Sequence, residues 1–142
     1  MDTNIKYSII IIFKEKTLNL VRLLEELNLQ TYKKFEVVLV SKNNFNNDTL
    51  TSYDLKFIKS NDPYPGKKRH LGVKNSSGAM ICFIDDDAYP EKHWLENINN
   101  HRLKGFKILG GPAIDIISEK IIPKILSLFY KLKLIGGFPE RY

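Results

Sequence analysis

The stretch Ala79 to Asp87 reads Ala-Met-Ile-Cys-Phe-Ile-Asp-Asp-Asp, an apolar run that ends in three consecutive acids. Its apolar, β-rich composition predicts a strand buried on both faces, as strands of parallel sheets are. In an open α/β sheet, ligands bind in the crevice beyond the carboxyl ends of the strands, which is where Asp85, Asp86 and Asp87 fall. Packed carboxylates repel one another, and a divalent cation or a set of ligand hydroxyls relieves that repulsion. If the segment stays extended, Asp85 and Asp87 point one way and Asp86 the other, so that two carboxylates can share one ligand.

Elsewhere the chain alternates strand and helix patterns. Tyr7 to Phe13 is a first buried strand, followed by Leu18, Val21, Leu23, Leu24 and Leu27 at helical spacing with Thr17 as N-cap. Phe35 to Val40 is a second strand, Ser41 to Thr51 an Asn/Asp-rich loop, and Leu55 to Lys59 a short third strand. Asp62 to Gly66, with two prolines and a glycine, is expected to be irregular, and Lys67 to Ser76 to be a helix carrying Leu71 and Val73. After the acids, Pro90 suits the first turn of a helix with Trp94, Leu95 and Ile98 inward, and Lys107 to Leu109 is a candidate last strand. Such alternation implies a mostly parallel sheet with right-handed crossovers, in one domain spanning residues 1–142.

The bulk numbers fit an ordinary globular chain: 142 residues, 43% hydrophobic and 27% charged. The single cysteine, Cys82, lies inside the apolar run, so an internal disulfide is excluded and a buried structural thiol is expected. The amino terminus lacks the pattern of a signal peptide, and the chain reads as cytoplasmic. A net charge of +6 favours anionic partners. The positive residues are scattered and no nucleic-acid motif accompanies them, so nucleic acid is not expected as a partner. Ile121 to Leu134, apolar with Lys124, Lys131 and Lys133, reads as a core or lid helix, with a helix lying on the inner face of a membrane as the alternative.

The ordered series resembles the nucleotide-binding half of the family 2 glycosyltransferases. It comprises Ser8-Ile9-Ile10-Ile11, Gln30-Thr31-Tyr32, Phe35-Glu36-Val37-Val38-Leu39-Val40, Gly66 with Arg69 and Gly72, Ser77-Gly78, and Phe83-Ile84-Asp85-Asp86-Asp87. The resemblance implies a Rossmann-like GT-A fold, a three-layer α/β/α arrangement on a mostly parallel sheet. It also implies transfer of a sugar from a nucleotide-diphosphate donor to a glycan, lipid-linked or polysaccharide acceptor, with inversion. Asp85 and Asp87 match the family's metal-binding Asp-x-Asp, which holds Mn²⁺ or Mg²⁺, while Asp85 and Asp86 fall where the donor's ribose or sugar is met. Arg69 matches an arginine of the family and, with Lys67, is a candidate for donor contact. The family's Pro-Thr-Tyr-Asn and base-reading Asp pair are replaced by Ile12-Phe13-Lys14-Glu15 and Ser41-Lys42-Asn43-Asn44. Glu15, Ser41 and Asn43 are therefore the candidate base contacts.

Leu134 to Tyr142 looks like the segment that in the family precedes the acidic pair holding the catalytic base, so the domain is expected to be truncated at its carboxyl end, 116–142 being an acceptor-side or membrane-proximal helix. Asp115 and Glu140 remain as weak candidates for that base. The alternatives are a nucleotide-sugar-binding module without turnover or an inactive fragment, in which Asp87 caps a helix starting near Pro90. An aspartate-nucleophile phosphatase would carry its motif on the first strand, and here other strands precede it. A sheet with an open edge would also allow a homodimer.

Overall fold

In a computed structural model of the chain, residues 4–46 and 50–111 are described. The chain divides into two units, Met1–Lys107 and Ile108–Tyr142. Of the second, residues 108–111 are described and are irregular.

The first unit is built on four parallel strands, β1 (Tyr7–Ile12), β2 (Phe35–Ser41), β3 (Asp54–Lys59) and β4 (Met80–Phe83), in the order β3-β2-β1-β4. Among the described residues three helices accompany them: α1 (Leu18–Asn28) between β1 and β2, α2 (Pro65–Lys74) between β3 and β4, and α3 (Trp94–Leu103) after β4. Side chains alternate across the sheet, so Tyr7, Ile9, Ile11, Val37 and Leu39 pack with Leu20, Leu23, Leu24 and Leu27 of α1 and Leu95 of α3. Ile10, Val38 and Val40 face the other way, onto Leu71 and Val73 of α2. The result is α/β/α in three layers, as the alternating pattern requires.

Several boundaries differ from expectation for identifiable reasons. In α1 the buried stripe starts at Leu20, whereas Leu18, at the first helical position, is 87% exposed. Thr17 caps this helix as expected, its hydroxyl accepting from the Leu20 amide at 3.2 Å. Pro65 and Gly66 form the first turn of α2 rather than an irregular loop, because proline at the first helical position lacks only an amide that would have no partner. Pro90 is buried ahead of α3, whose N-cap is His93. Lys107 to Leu109 does not form a strand.

The largest correction concerns β4. Among the described residues it is an edge strand, and Phe83 is 52% exposed, so the apolar run is not buried on both faces. Cys82 is buried as expected, and burial pushes its thiol up to about 12.

Two glycines of the series have packing roles. A Cβ at Gly72 would sit 2.5 Å from the Ile10 side chain, so glycine lets α2 lie close on β1. A Cβ at Gly78 would lie 2.6 Å from both the amide nitrogen and the hydroxyl of Ser8. The obstacle is strand backbone, which cannot turn aside. Gly78→Ala is expected to cost about 2–3 kcal/mol, the usual penalty of forced overpacking, read as a lowered urea midpoint at unchanged slope.

Candidate functional site

The chain runs outward from β1 to β2 and β3, then crosses back to place β4 on the other side of β1. That reversal opens a crevice at the carboxyl ends of β1 and β4, the place where open α/β sheets bind ligands. The acids stand there. β4 ends at Phe83, the Ile84 amide donates to the Ile10 carbonyl at 3.4 Å, and the Ala88 amide donates to the Asp85 carbonyl at 3.1 Å. Asp85 to Ala88 is thus a tight turn and not an extended segment, which removes the alternation argument for Asp85 and Asp87. Asp85 and Asp87 are nonetheless both exposed and Asp86 is half-buried. Burial, together with the charges of Asp87 and Asp85, raises the Asp86 pKa above its ordinary value.

The segment after the acids is fixed from the other side. Tyr89 donates its hydroxyl to Asn19 Oδ1 at 2.8 Å, and the Arg22 guanidinium lies 4.3 Å from the centre of its ring. α3 is seated by Gln30, a fully buried side chain whose Nε2 donates to the Glu91 carbonyl at 2.7 Å and whose Oε1 accepts from the Leu95 amide at 3.1 Å. The Thr31 amide adds a bond to the Lys92 carbonyl at 3.0 Å. These bonds explain what Gln30-Thr31 contributes to the series. Because α3 begins at Trp94, Asp87 does not cap it.

Arg69, on α2, reaches the acids directly: its Nη2 donates to Asp85 Oδ1 at 3.0 Å. Lys67 is held away from them by Asp62 at 3.4 Å and lies over the Tyr64 ring at 5.2 Å. Ser41 and Asn43 converge on the loop after β1, with Asn43 Nδ2 donating to the Lys14 carbonyl at 2.9 Å and Ser41 Oγ to the same oxygen at 3.4 Å. Glu15 is exposed in that loop. Asp115, Glu140 and segment 121–134 lie outside the described residues.

The donor chemistry suits a hard divalent cation: carboxylate oxygens, with Asp85 Oδ2 outside the bond to Arg69. Among the described residues no three metal-ligating side chains converge. Such a site fits a cation that takes one or two ligands from protein and the rest from phosphate and water.

A second polar cluster was not singled out from the sequence. Glu36, the second residue of β2, is fully buried and accepts from Ser8 Oγ at 2.7 Å, from Ser77 through its amide at 2.5 Å and its hydroxyl at 2.9 Å, and pairs with Lys6 at 3.1 Å and Lys56 at 2.9 Å. Ser8 Oγ in turn accepts from the Gly78 amide at 2.8 Å. The cluster lies at the amino ends of the strands, opposite the acids, and fixes the loop that leads into β4. A charged residue inside the apolar run Phe35 to Val40 was its one visible signal.

The model of the family described as glycosyl transferase family 2 matches residues 8–129 of the chain. The chain belongs to this family. It resembles glycosyltransferase AglE of Haloferax volcanii, with 29% identity over 124 residues that make up 80% of this chain and 38% of AglE. The fold is similar to that of S. aureus TarS residues 1–349, with a TM-score of 0.60 and 21% identity, covering 78% of this chain and 38% of that one. The same TarS segment in complex with UDP-GlcNAc matches with a TM-score of 0.60 and 22% identity, over 78% and 37% of the two chains. The chain therefore spans well under half the length of these relatives. The Rossmann-like GT-A architecture expected from the sequence is the fold that the chain shares with these TarS structures. Among the described residues no helix is long and apolar enough to cross a membrane.

Proposed function

We propose that the chain is the donor-binding part of a glycosyltransferase that moves a sugar from a nucleotide-diphosphate donor to a glycan, lipid-linked or polysaccharide acceptor. The observation that carries this reading is the position of Asp85, Asp86 and Asp87 at the carboxyl end of β4, in the crevice beside β1, in a chain of this family. The complexes of TarS with UDP-GlcNAc and UDP support a nucleotide sugar as the ligand class.

Asp85 and Asp87 would hold Mn²⁺ or Mg²⁺, which when bound offsets the negative charge that builds on the departing diphosphate. The loops after β1 and β2 carry Lys14, Lys16 and Lys42 beyond the carboxyl ends of those strands, positive charge on the side where that diphosphate would lie. Arg69 presents a planar fork suited to phosphate oxygens. Ser41 and Asn43, already joined through the Lys14 carbonyl, form the wall we assign to the base. Transfer with inversion needs a carboxylate within hydrogen-bond reach of the acceptor hydroxyl to take its proton.

The test is transfer by the full chain supplied with UDP-GlcNAc, Mn²⁺ and a glycan or lipid-linked acceptor, followed as UDP release that depends on acceptor. Binding of UDP-GlcNAc without acceptor-dependent release would leave the donor site standing and show that this chain by itself does not carry transfer. Neither binding nor release with any nucleotide sugar would refute both.

A further inference from the structure

The contact between Arg69 and Asp85 joins the two charges that the proposed donor site needs to keep apart. Neither side chain makes another hydrogen bond or ion pair among the described residues. The pair is single-pronged, one nitrogen of the guanidinium on one oxygen of the carboxylate at 3.0 Å. Both groups are wet, with side chains 40% and 68% exposed. A bond of this kind is weak and exchanges readily, unlike the bidentate fork or a buried pair.

We propose that this ion pair is the resting latch of the site and is exchanged on ligand binding. In the ligand-free chain Arg69 supplies the positive charge that the crowded acids require. A divalent cation at Asp85 supplies it instead and repels the guanidinium. Arg69 then turns its free fork to the diphosphate, whose geometry it matches better than that of one carboxylate oxygen. The two ligands are thereby coupled through Arg69: the cation releases a phosphate donor, and the diphosphate removes a competitor of the cation. Such coupling is reciprocal by thermodynamic necessity. The inference rests on the donor-site reading and adds to it that Arg69 opposes the metal when the nucleotide is absent.

The experiment compares the full chain with Arg69→Gln and Arg69→Lys. Mn²⁺ alone is titrated by the electron paramagnetic resonance of the free ion, and UDP is titrated calorimetrically with and without saturating Mn²⁺. Arg69→Gln is expected to bind Mn²⁺ alone about two- to five-fold more tightly, the worth of an exposed ion pair. The same variant is expected to bind UDP in saturating Mn²⁺ about ten-fold more weakly or worse, the loss of a charge-assisted contact. Arg69→Lys, which keeps the charge and loses the fork, is expected to stay near the wild type for Mn²⁺ and to fall between the two for UDP. Both variants should unfold like the wild type, because the side chain is exposed. Unchanged or weaker Mn²⁺ binding by Arg69→Gln would overturn the latch, leaving Arg69 a plain nucleotide contact or a prop for Asp85, with the donor site intact. Failure of the wild type to bind Mn²⁺ and UDP at all would overturn the donor-site reading and the latch with it.

Discussion

Replacing Glu36 by alanine is expected to lower the unfolding free energy by about 3 kcal/mol, a large share of the 5–15 kcal/mol typical of a domain. The carboxylate is fully buried yet receives the Ser8 hydroxyl, the amide and hydroxyl of Ser77, and the ammonium groups of Lys6 and Lys56. Removing it leaves the Ser8 hydroxyl and the amide and hydroxyl of Ser77 without their acceptor, and the Ser77 loop loses its anchor, while Lys6 keeps Asp54 at 3.4 Å. The two lysines are 29% and 46% exposed and can turn to water, so the loss falls below the full penalty for an orphaned buried charge. Glu36→Gln keeps the size and one acceptor and should cost roughly half as much. Urea unfolding of the three proteins checks the order.

The same carboxylate makes a prediction about pH. Burial alone would push its pKa up, but the bonds from Ser8, Ser77, Lys56 and Lys6 outweigh burial and hold it well below the ordinary value of 4.5. A group whose pKa is depressed in the folded chain contributes fully above its unfolded value and loses that contribution as pH falls toward the folded one. Stability should therefore drop steadily below about pH 4.5 in the wild type and less steeply in Glu36→Gln. Equal acid slopes in the two proteins would contradict this account of the cluster.

Asp87→Ala is expected to reduce the rate of sugar transfer by about 10²- to 10³-fold, the usual effect of removing one element of transition-state charge stabilisation. Stability should change little, because the side chain is exposed and seats no neighbouring helix. The effect should fall on the rate and on metal-dependent nucleotide affinity together, since the proposed site has this one carboxylate serve both. A variant that keeps its rate would mean that the acids at the end of β4 are solvated surface.

Much of this architecture was legible in the residues. The alternation of apolar runs with the helical spacing of Leu18, Val21, Leu23, Leu24 and Leu27 pointed to parallel strands and a packed helix, and the acid tip to the end of the sheet where a ligand belongs. The features that the residues do not mark depend on contacts between distant segments. Nothing local marks β4 as an edge strand among the described residues, because an apolar run of four reads the same with one neighbour or two. The turn at Asp85 to Ala88 replaced the extended geometry for a similar reason, as three acids are compatible with either. Gln30 and Glu36 were visible as members of a familiar series, but their roles rest on bonds to residues 65 and 41 positions away. The link between Arg69 and Asp85 likewise needed the fold, since the two are 16 residues apart on different elements.

The central claim is that the acids at the end of β4 form a metal-coupled site for a nucleotide diphosphate. The direct test is calorimetric titration of UDP, GDP and dTDP into the full chain, each with and without Mn²⁺, with Asp87→Ala as control. The account predicts that one nucleotide binds, that Mn²⁺ strengthens it, and that Asp87→Ala abolishes the strengthening. Binding equally tight with and without Mn²⁺, or no binding by any of the three, would contradict it.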